Sequence, residues 1–249
     1  TDITEIRAKE DALRRAVRVR EEVVSVVSHD LRNPLGVVAG AAELLLDLPL
    51  GESERRNQAD IIRRSAERMG RLVDDLLDVA RIEAGAMVVR PVALAPEEIL
   101  AETETFFAPQ AEQAGIELTL EVATGTPPVL VDPDRIQQAL ANLVGNALKF
   151  TPRGGRVTVG AHGVSPGRVA IWVRDTGPGL PEEDLAYVFD RFWQASRHDR
   201  TGSGLGLAIV RGIAEAHRAT AEVSSRPGQG ATFTLTFSTP PDPGAEATP

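Results

Sequence analysis

The sequence predicts two structural parts, an antiparallel helical hairpin that forms a dimeric four-helix bundle and an α/β sandwich with a mixed sheet. Two observations carry this prediction. Apolar residues recur at heptad spacing up to about residue 84, whereas Val-, Ile- and Thr-rich segments alternate with amphipathic helices after Gly85. A chain of 249 residues is long enough for two ordinary domains.

The first predicted element is one long helix over residues 1–47. Its heptad pattern is interrupted at Glu10, Arg20 and Pro34. A stripe this long indicates that the helix pairs with a second copy of the chain, although an ordinary amphipathic helix packed on a core is the alternative. The two heptad series consist of Ile3, Val17, Val24, Leu31 and Val38, and of Ile6, Leu13, Val27 and Ala41.

A second helix is predicted over residues 54–84, after a turn marked by Pro49, Gly51 and Ser53. Gly85 is predicted to end it. Two long antiparallel helices cannot bury both stripes alone, whereas two hairpins from two chains form a four-helix bundle, so we expect a homodimer. The mostly apolar residues that recur at every seventh position are Ile62, Met69 and Leu76, and Ser65, Leu72 and Val79.

The α/β sandwich is predicted from the change of periodicity that follows. Helices are expected near residues 96–114, 133–149 and 204–217, on one face of a mixed sheet. The tail PPDPGAEATP has the composition of a disordered segment. The predicted strands are MVVRPVAL, IELTLEV, VLVD, RVTVGAH, RVAIWVRD, ATAEVSS and ATFTLTF.

Composition argues against several classes of function. The net charge of −9 disfavours general nucleic-acid binding, because proteins of that class usually carry a strongly basic surface. The chain has no cysteine, so it forms no disulfide and uses no thiolate chemistry. No apolar run approaches the roughly 20 residues that span a bilayer. We expect a cytoplasmic core, and the sequence leaves open whether a longer protein is soluble or membrane-anchored.

The segment SHDLRNPL contains a candidate nucleophile, His29. The adjacent Asp30 can hydrogen-bond the imidazole and raise the basicity of its far nitrogen. Asn33 lies four residues on and shares a helical face with His29. Pro34 costs a helix interior about 3 kcal/mol, so a bend below His29 is expected. A structural or solvated role is expected for the remaining histidines, His162, His198 and His217.

The segment NLVGNALKF carries candidate phosphate and metal ligands. Asn142 and Asn146 are four residues apart and share a helical face. An amide oxygen is a suitable ligand for Mg²⁺, and Lys149 can meet a phosphate as a point charge.

Two glycine-rich segments follow. Asp175 ends a strand, where its carboxylate can accept a hydrogen bond from an exocyclic amine such as that of adenine, and Gly177 and Gly179 allow close approach of the backbone. GSGLGLAIV then opens a helix whose N–H groups favour phosphate. Taken singly, Gly177 and Gly179 are also consistent with a simple turn, and Gly202, Gly204 and Gly206 with a flexible loop. The Walker pattern GxxxxGK[ST] does not occur.

In this order the four segments closely resemble the sensor histidine kinases, with a HisKA phosphoacceptor domain and an ATP-binding domain of the GHKL superfamily. The resemblance implies a signalling coiled coil over 1–20, a dimerisation and phosphotransfer hairpin over 21–85, a catalytic domain over 86–239 and a tail over 240–249. It also implies that His29 receives the phosphate, that Asp30 is its acid/base partner, and that Asn33 positions a water when the partner is dephosphorylated.

The same resemblance implies an ATP site. Mg²⁺ is expected on Asn146, with Asn142 nearby. Asp175 is expected to recognise adenine. The aromatic pair Phe189 and Phe192 is expected to pack at the base of a lid over the phosphates, and three lid glycines to act as its hinge. The complete set of implied ATP-site residues is Asn142, Asn146, Lys149, Asp175, Gly177, Gly179, Phe189, Phe192, Gly202, Gly204, Leu205 and Gly206. Arg197 and Arg200 lie in the expected lid, and GQGATFTLTF matches the last glycine element of the superfamily.

The expected activity is autophosphorylation on His29 from ATP and Mg²⁺, followed by transfer to an aspartate of a response regulator, with phosphatase activity toward that regulator also implied. A GHKL ATPase is the main alternative, but such enzymes carry a general-base glutamate where this chain has Asn142. A non-catalytic scaffold is a second alternative. It is disfavoured because the chain retains His29, Asn146 and Asp175.

The first residues predict an upstream sensor. Asp2, Ile3 and Thr4 resemble the exit of a PAS sensor domain, which commonly ends in Asp-Ile-Thr before a signalling helix. A chance tripeptide that caps a helix is the alternative.

Overall fold

The computed structural model describes residues 30–194 and 203–241, and the chain divides into two compact units with the main boundary between Leu77 and Asp78. Within these ranges no helix is both long and apolar enough to cross a membrane. The elements in chain order are α1 (30–47), α2 (Glu52–Glu83), β1 (Val92–Leu94), α3 (Pro96–Ala114), β2 (Glu117–Val122), β3 (Val129–Val131), α4 (Pro133–Phe150), β4 (Arg156–Ser165), β5 (Arg168–Asp175), a short 3₁₀ helix (Glu182–Asp184), α5 (Gly206–Ala216), β6 (Thr220–Ser225) and β7 (Ala231–Ser238).

The first unit contains α1 and most of α2. Residues 1–29 of the expected long helix lie outside the described residues, and α1 continues through Pro34, which is buried. The expected turn follows α1, where the Gly51 N–H donates to Glu54 Oε2 at 2.9 Å. The heptad stripe of α2 is only half-buried in the single chain at Ile62, Ser65, Met69, Leu72 and Leu76. Burial of this stripe by a second copy stays a prediction.

The last turns of α2 pack within the second unit. Asp78 is 4% exposed, and its carboxylate accepts hydrogen bonds from Arg135 of α4 at 3.0 Å and from Gln138 Nε2 at 2.6 Å. Ile82 lies so close to α5 that a Cβ on Gly212 would come 2.3 Å from its Cδ1. Gly85 ends the helix at φ 60°, as expected. Contacts to the α/β sandwich therefore begin before the expected domain limit at residue 85.

The main sheet has five strands in the order β2-β4-β5-β7-β6. The β2–β4 pair is parallel and the other three pairs are antiparallel, so the sheet is mixed, as expected. α3 contacts β2, α4 contacts β5, and α5 contacts β6. Alternate strand residues form the core with these helices, and those with at most 2% exposure are Val157, Val159, Ala161, Val169, Ile171, Val173, Leu235 and Phe237.

The structure differs from the prediction at MVVRPVAL. Only Val92–Leu94 is a strand, and it pairs with β3 in a separate two-stranded sheet. Two features shorten it. Pro91 has no N–H to donate to a ladder, and the N–H of Arg90 donates instead to Asp132 Oδ2 at 2.8 Å.

A tryptophan occupies the centre of the main sheet. Trp172 pairs across the strands with Gly160, and its ring fills the space of the missing side chain, because a Cβ on Gly160 would come 2.2 Å from the ring. Trp172 Nε1 donates to His162 Nδ1 at 3.2 Å, and the guanidinium of Arg174 lies 4.7 Å from the ring centroid. Trp172 as a whole is 7% exposed.

The start of α4 is fixed by Asp132 and His217. The Asp132 side chain caps the helix by accepting the N–H of Arg135 at 3.2 Å. The Asp132 N–H donates to His217 Nε2 at 2.9 Å, and His217 Nδ1 lies 2.7 Å from the carbonyl oxygen of Ile213. His217 is therefore a structural residue with both ring nitrogens engaged, in agreement with the sequence-based interpretation.

Candidate functional site

One edge of the candidate site is the polar face of α4. The helix places Asn142 and Asn146 one turn apart, both half-buried, and the exposed Lys149 about one turn later. Asn142 Nδ2 donates to the carbonyl oxygen of Gln138 at 3.1 Å. The ammonium of Lys149 lies 4.4 Å from the ring centroid of Phe150.

Asp175 lies at the end of β5 and is 8% exposed. Burial raises the pKa of its carboxyl above the ordinary value of 3.8, and two backbone N–H donors partly offset that effect. These donors are Gly177 at 2.8 Å and Ala231 at 3.3 Å, and both donate to Oδ1. Within the described ranges Oδ2 has no hydrogen-bond donor, which leaves one oxygen of a rigidly held carboxylate for an external donor.

The glycines around Asp175 allow three backbone segments to meet. Gly179 has φ 69°, and a Cβ there would come 2.1 Å from the carbonyl oxygen of Arg226. Gly230 has φ 75°, and a Cβ there would come 2.0 Å from the carbonyl oxygen of Asp175. Side chains do not fit at either place, so the glycines are required by both conformation and space.

Ser225 connects the DTGPGL segment to the hairpin of β6 and β7. Its Oγ accepts the N–H of Leu180 at 2.8 Å and donates to the carbonyl oxygen of Gly230 at 2.7 Å. Ser225 was not expected from the sequence, because a serine at a strand end carries no motif. The expected glycine element GQGATFTLTF supplies Gly230 and Ala231.

The start of α5 forms a second glycine-rich edge. The N–H of Phe192 donates to the carbonyl oxygen of Gly204 at 2.8 Å. Both residues have left-handed conformations, with φ 60° at Phe192 and φ 68° at Gly204. Leu205 is 1% exposed, and the first residue of the helix, Gly206, lies against the side chain of Asn142. Gly202, Arg197, Arg200 and His198 lie outside the described residues.

The two phenylalanines expected at the lid base have different surroundings. Phe189 makes an edge-to-face contact with Phe233 of β7, with ring centroids 6.1 Å apart. The N–H of Phe192 instead holds the chain that leads to α5. Their roles toward a nucleotide stay predictions.

The expected phosphoacceptor segment is described only in part. His29 lies outside the described residues, Asp30 is the first residue of the described part of α1, and Asn33 is exposed. The roles assigned to these three residues from sequence stay predictions.

The donor set of the described residues limits the kind of metal site. Among them, no three His, Cys, Asp or Glu side chains form a group that could hold a metal ion. A divalent ion at this site would therefore depend on an amide oxygen of α4, which the sequence assigns to Asn146, and on oxygens of a bound phosphate. This donor set fits Mg²⁺, which usually takes few protein ligands.

Comparison with known proteins finds similarity over both units. Residues 19–85 match the family model of the His Kinase A (phospho-acceptor) domain, and residues 131–241 match that of the histidine kinase-, DNA gyrase B- and HSP90-like ATPases. Sensor protein DivL of Caulobacter vibrioides is 38% identical over 235 residues, which are 94% of this chain and 30% of DivL. Aerobic respiration control sensor protein ArcB of Escherichia coli is 34% identical over 244 residues, which are 96% of this chain and 31% of ArcB.

A solved structure is similar to most of the chain. Full-length ShkA in complex with AMPPNP matches with a TM-score of 0.68 and 32% identity, over 90% of this chain and 47% of that chain. The chain thus spans less than a third of the two curated relatives and about half of ShkA.

Proposed function

Because the chain belongs to the sensor histidine kinases, we propose that it binds ATP in its second unit and transfers the γ-phosphoryl group to His29. The phosphoryl group then passes to an aspartate of a response regulator. We further propose that the active form is a homodimer and that an upstream sensor, of the PAS type, controls it. Phosphatase activity through Asn33 stays a prediction from the family resemblance.

The observation that carries the proposal is the environment of Asp175. Its Oδ1 accepts hydrogen bonds from two backbone N–H groups, so its Oδ2 can accept one from a ligand in a buried site. The 6-amino group of adenine is a donor that fits it. The first turn of α5 supplies backbone N–H groups for the phosphates. The solved structure of ShkA in complex with AMPPNP supports nucleotide binding by this fold.

The residues of α4 fit the phosphate end of the nucleotide. The amide oxygen of Asn146 would hold Mg²⁺, which would neutralise charge on the phosphate oxygens. Lys149 supplies a positive charge at the exposed end of the helix.

The proposed transfer step forms one bond to phosphorus, breaks one and moves one proton. The far nitrogen of the His29 imidazole forms a bond to the γ-phosphorus while the bond between that phosphorus and the β,γ-bridging oxygen breaks, and ADP leaves. Asp30 takes the proton that the imidazole loses. Catalysis of this kind rests mainly on positioning and charge stabilisation.

Hydrolysis is the competing reaction and lacks a base. A water that attacks the γ-phosphate needs an acceptor for its proton, and an amide such as Asn142 cannot serve as one. Asn142 already donates to Gln138. Transfer to histidine is therefore favoured over fast release of phosphate.

The test is incubation with ATP labelled at the γ-phosphate. We expect an acid-labile, base-stable label on the wild-type protein and none on His29→Gln. His162→Gln is the matched control, because His162 is an exposed histidine of the second unit, and it should keep the label. Released phosphate without labelled protein would establish the ATPase instead. Absence of both label and release would favour the scaffold.

A further inference from the structure

The side chain of Asn142 joins α4 to the first residue of α5. Its Nδ2 donates to the carbonyl oxygen of Gln138, one turn earlier in α4, at 3.1 Å. Its Oδ1 lies against Gly206, where a Cβ would come 2.5 Å from Oδ1 and 3.2 Å from Cγ of Asn142. The three atoms nearest to such a Cβ all belong to Asn142.

This contact gives a reason for glycine at position 206. Gly204 has a left-handed φ of 68°, so its backbone conformation favours glycine, whereas Gly206 is not among the residues with positive φ. An alanine at 206 would have an ordinary helical backbone. Among the described residues it would clash only with the Asn142 amide, whose hydrogen bond to Gln138 opposes rotation out of the way.

We propose that Asn142 is a positioning residue that seats the first turn of α5, and so sets the place of its phosphate-binding N–H groups. This inference rests on the proposed function. It divides the two asparagines of α4 between different tasks. Asn142 orders the protein, and Asn146 is the proposed metal ligand.

A competing explanation is that position 206 is glycine because phosphate oxygens approach its backbone. The two explanations differ in what removal of Asn142 does to an alanine at 206. If Asn142 is the obstacle, shortening it restores the site. If the phosphate is the obstacle, shortening Asn142 restores nothing.

The experiment is a double-mutant cycle read by AMPPNP affinity in isothermal titration and by the melting temperature of the protein without nucleotide. We expect Gly206→Ala to weaken AMPPNP binding about tenfold and to lower the melting temperature. Gly206→Ala/Asn142→Ala should bind within about threefold of Asn142→Ala alone. Additive losses in the double variant would overturn the proposal.

Two controls make the cycle specific. Asn146→Ala combined with Gly206→Ala should give no rescue, and rescue there would contradict the assignment to Asn142. Gly163→Ala, where the nearest atom to an added Cβ is 4.0 Å away, should match the wild type. If Gly206→Ala does not fold, a folded Gly206→Ala/Asn142→Ala supports the proposal and an unfolded one contradicts it.

Magnesium dependence separates positioning from metal ligation. The loss of AMPPNP affinity in Asn142→Ala should be the same in Mg²⁺ and in EDTA, and a loss confined to Mg²⁺ would make Asn142 a ligand. In autophosphorylation, Asn142→Ala should raise the KM for ATP more than it lowers kcat. A wild type that binds no AMPPNP would contradict the proposed function itself. The melting temperatures of the four proteins of the cycle would then still test the contact between Asn142 and Gly206.

Discussion

The carboxylate of Asp78, near the end of α2, is ion-paired with Arg135 of α4 at 3.0 Å while only 6% of its side chain is exposed. Gln138 of α4 donates to the same oxygen, and Arg81 pairs with the other oxygen at 3.2 Å. Glu83, one turn later, pairs with Arg191. The end of α2 is thus held to the α/β sandwich by charge pairs as well as by apolar contact.

Replacement of Asp78 should destabilise the second unit. Asp78→Ala leaves Arg135, which is 23% exposed, without its anion, and we expect a loss of about 2–3 kcal/mol in the free energy of unfolding. Urea unfolding followed by circular dichroism measures it. Glu117→Ala is the matched control, since Glu117 and Arg156 are both 57% exposed, and it should leave the midpoint nearly unchanged. Equal effects of the two variants would mean that burial adds nothing to the Asp78 pair.

The buried Asp175 should make both stability and binding depend on pH. Its pKa is raised by burial, so the folded protein binds a proton more readily than the unfolded chain does. The wild type should therefore lose stability relative to Asp175→Asn as pH rises from 3.8 through the raised pKa. Urea unfolding of both proteins over that range gives the difference. A wild type that gains stability relative to Asp175→Asn as pH rises would contradict the assigned direction.

Nucleotide binding should respond to the same group with the opposite sign. Only the ionised carboxylate is a full acceptor for the adenine amine, so AMPPNP affinity should fall as pH is lowered through the raised pKa. Asp175→Asn should bind AMPPNP more weakly at neutral pH, and its affinity should not show this fall. The variant therefore reports the pH dependence that comes from titration of the nucleotide itself. Parallel pH profiles for the two proteins would remove Asp175 from adenine recognition.

Two neighbouring glycines separate backbone strain from lack of space. Gly228 and Gly230 have φ 78° and 75°, but a Cβ on Gly228 meets nothing within 4 Å, whereas one on Gly230 would come 2.0 Å from Asp175 O. Gly228→Ala should cost about 1 kcal/mol of unfolding free energy, and Gly230→Ala about 3 kcal/mol or more. Only Gly230→Ala should also weaken AMPPNP binding. Similar losses of unfolding free energy in the two variants would show that the backbone near the carbonyl oxygen of Asp175 moves aside at little cost.

Local signals predicted most of the fold. α3 is found at the expected residues because Pro96 starts it and Gly115, at φ 68°, ends it. The prediction was wrong at β1, where Pro91 and the bond from Arg90 to Asp132 shorten the strand. That bond joins residues 42 apart in the sequence, and no local pattern encodes it.

The candidate site was predicted in its members but not in their contacts. Motif spacing indicated Asn142, Asp175 and the glycines separately. It could not indicate that Gly206 borders Asn142, or that Gly230 borders Asp175, because each contact depends on how distant segments pack. Phe192 is a further example, since a bulky residue at φ 60° is not expected from sequence.

The ring of Trp172 over Gly160 restricts which substitutions the protein can accept in evolution. A side chain at 160 is blocked while the tryptophan remains, and loss of the tryptophan alone opens a hole in the centre of the sheet. A substitution at 160 therefore depends on one at 172, and a protein with a smaller residue at 172 can accept a larger one at 160.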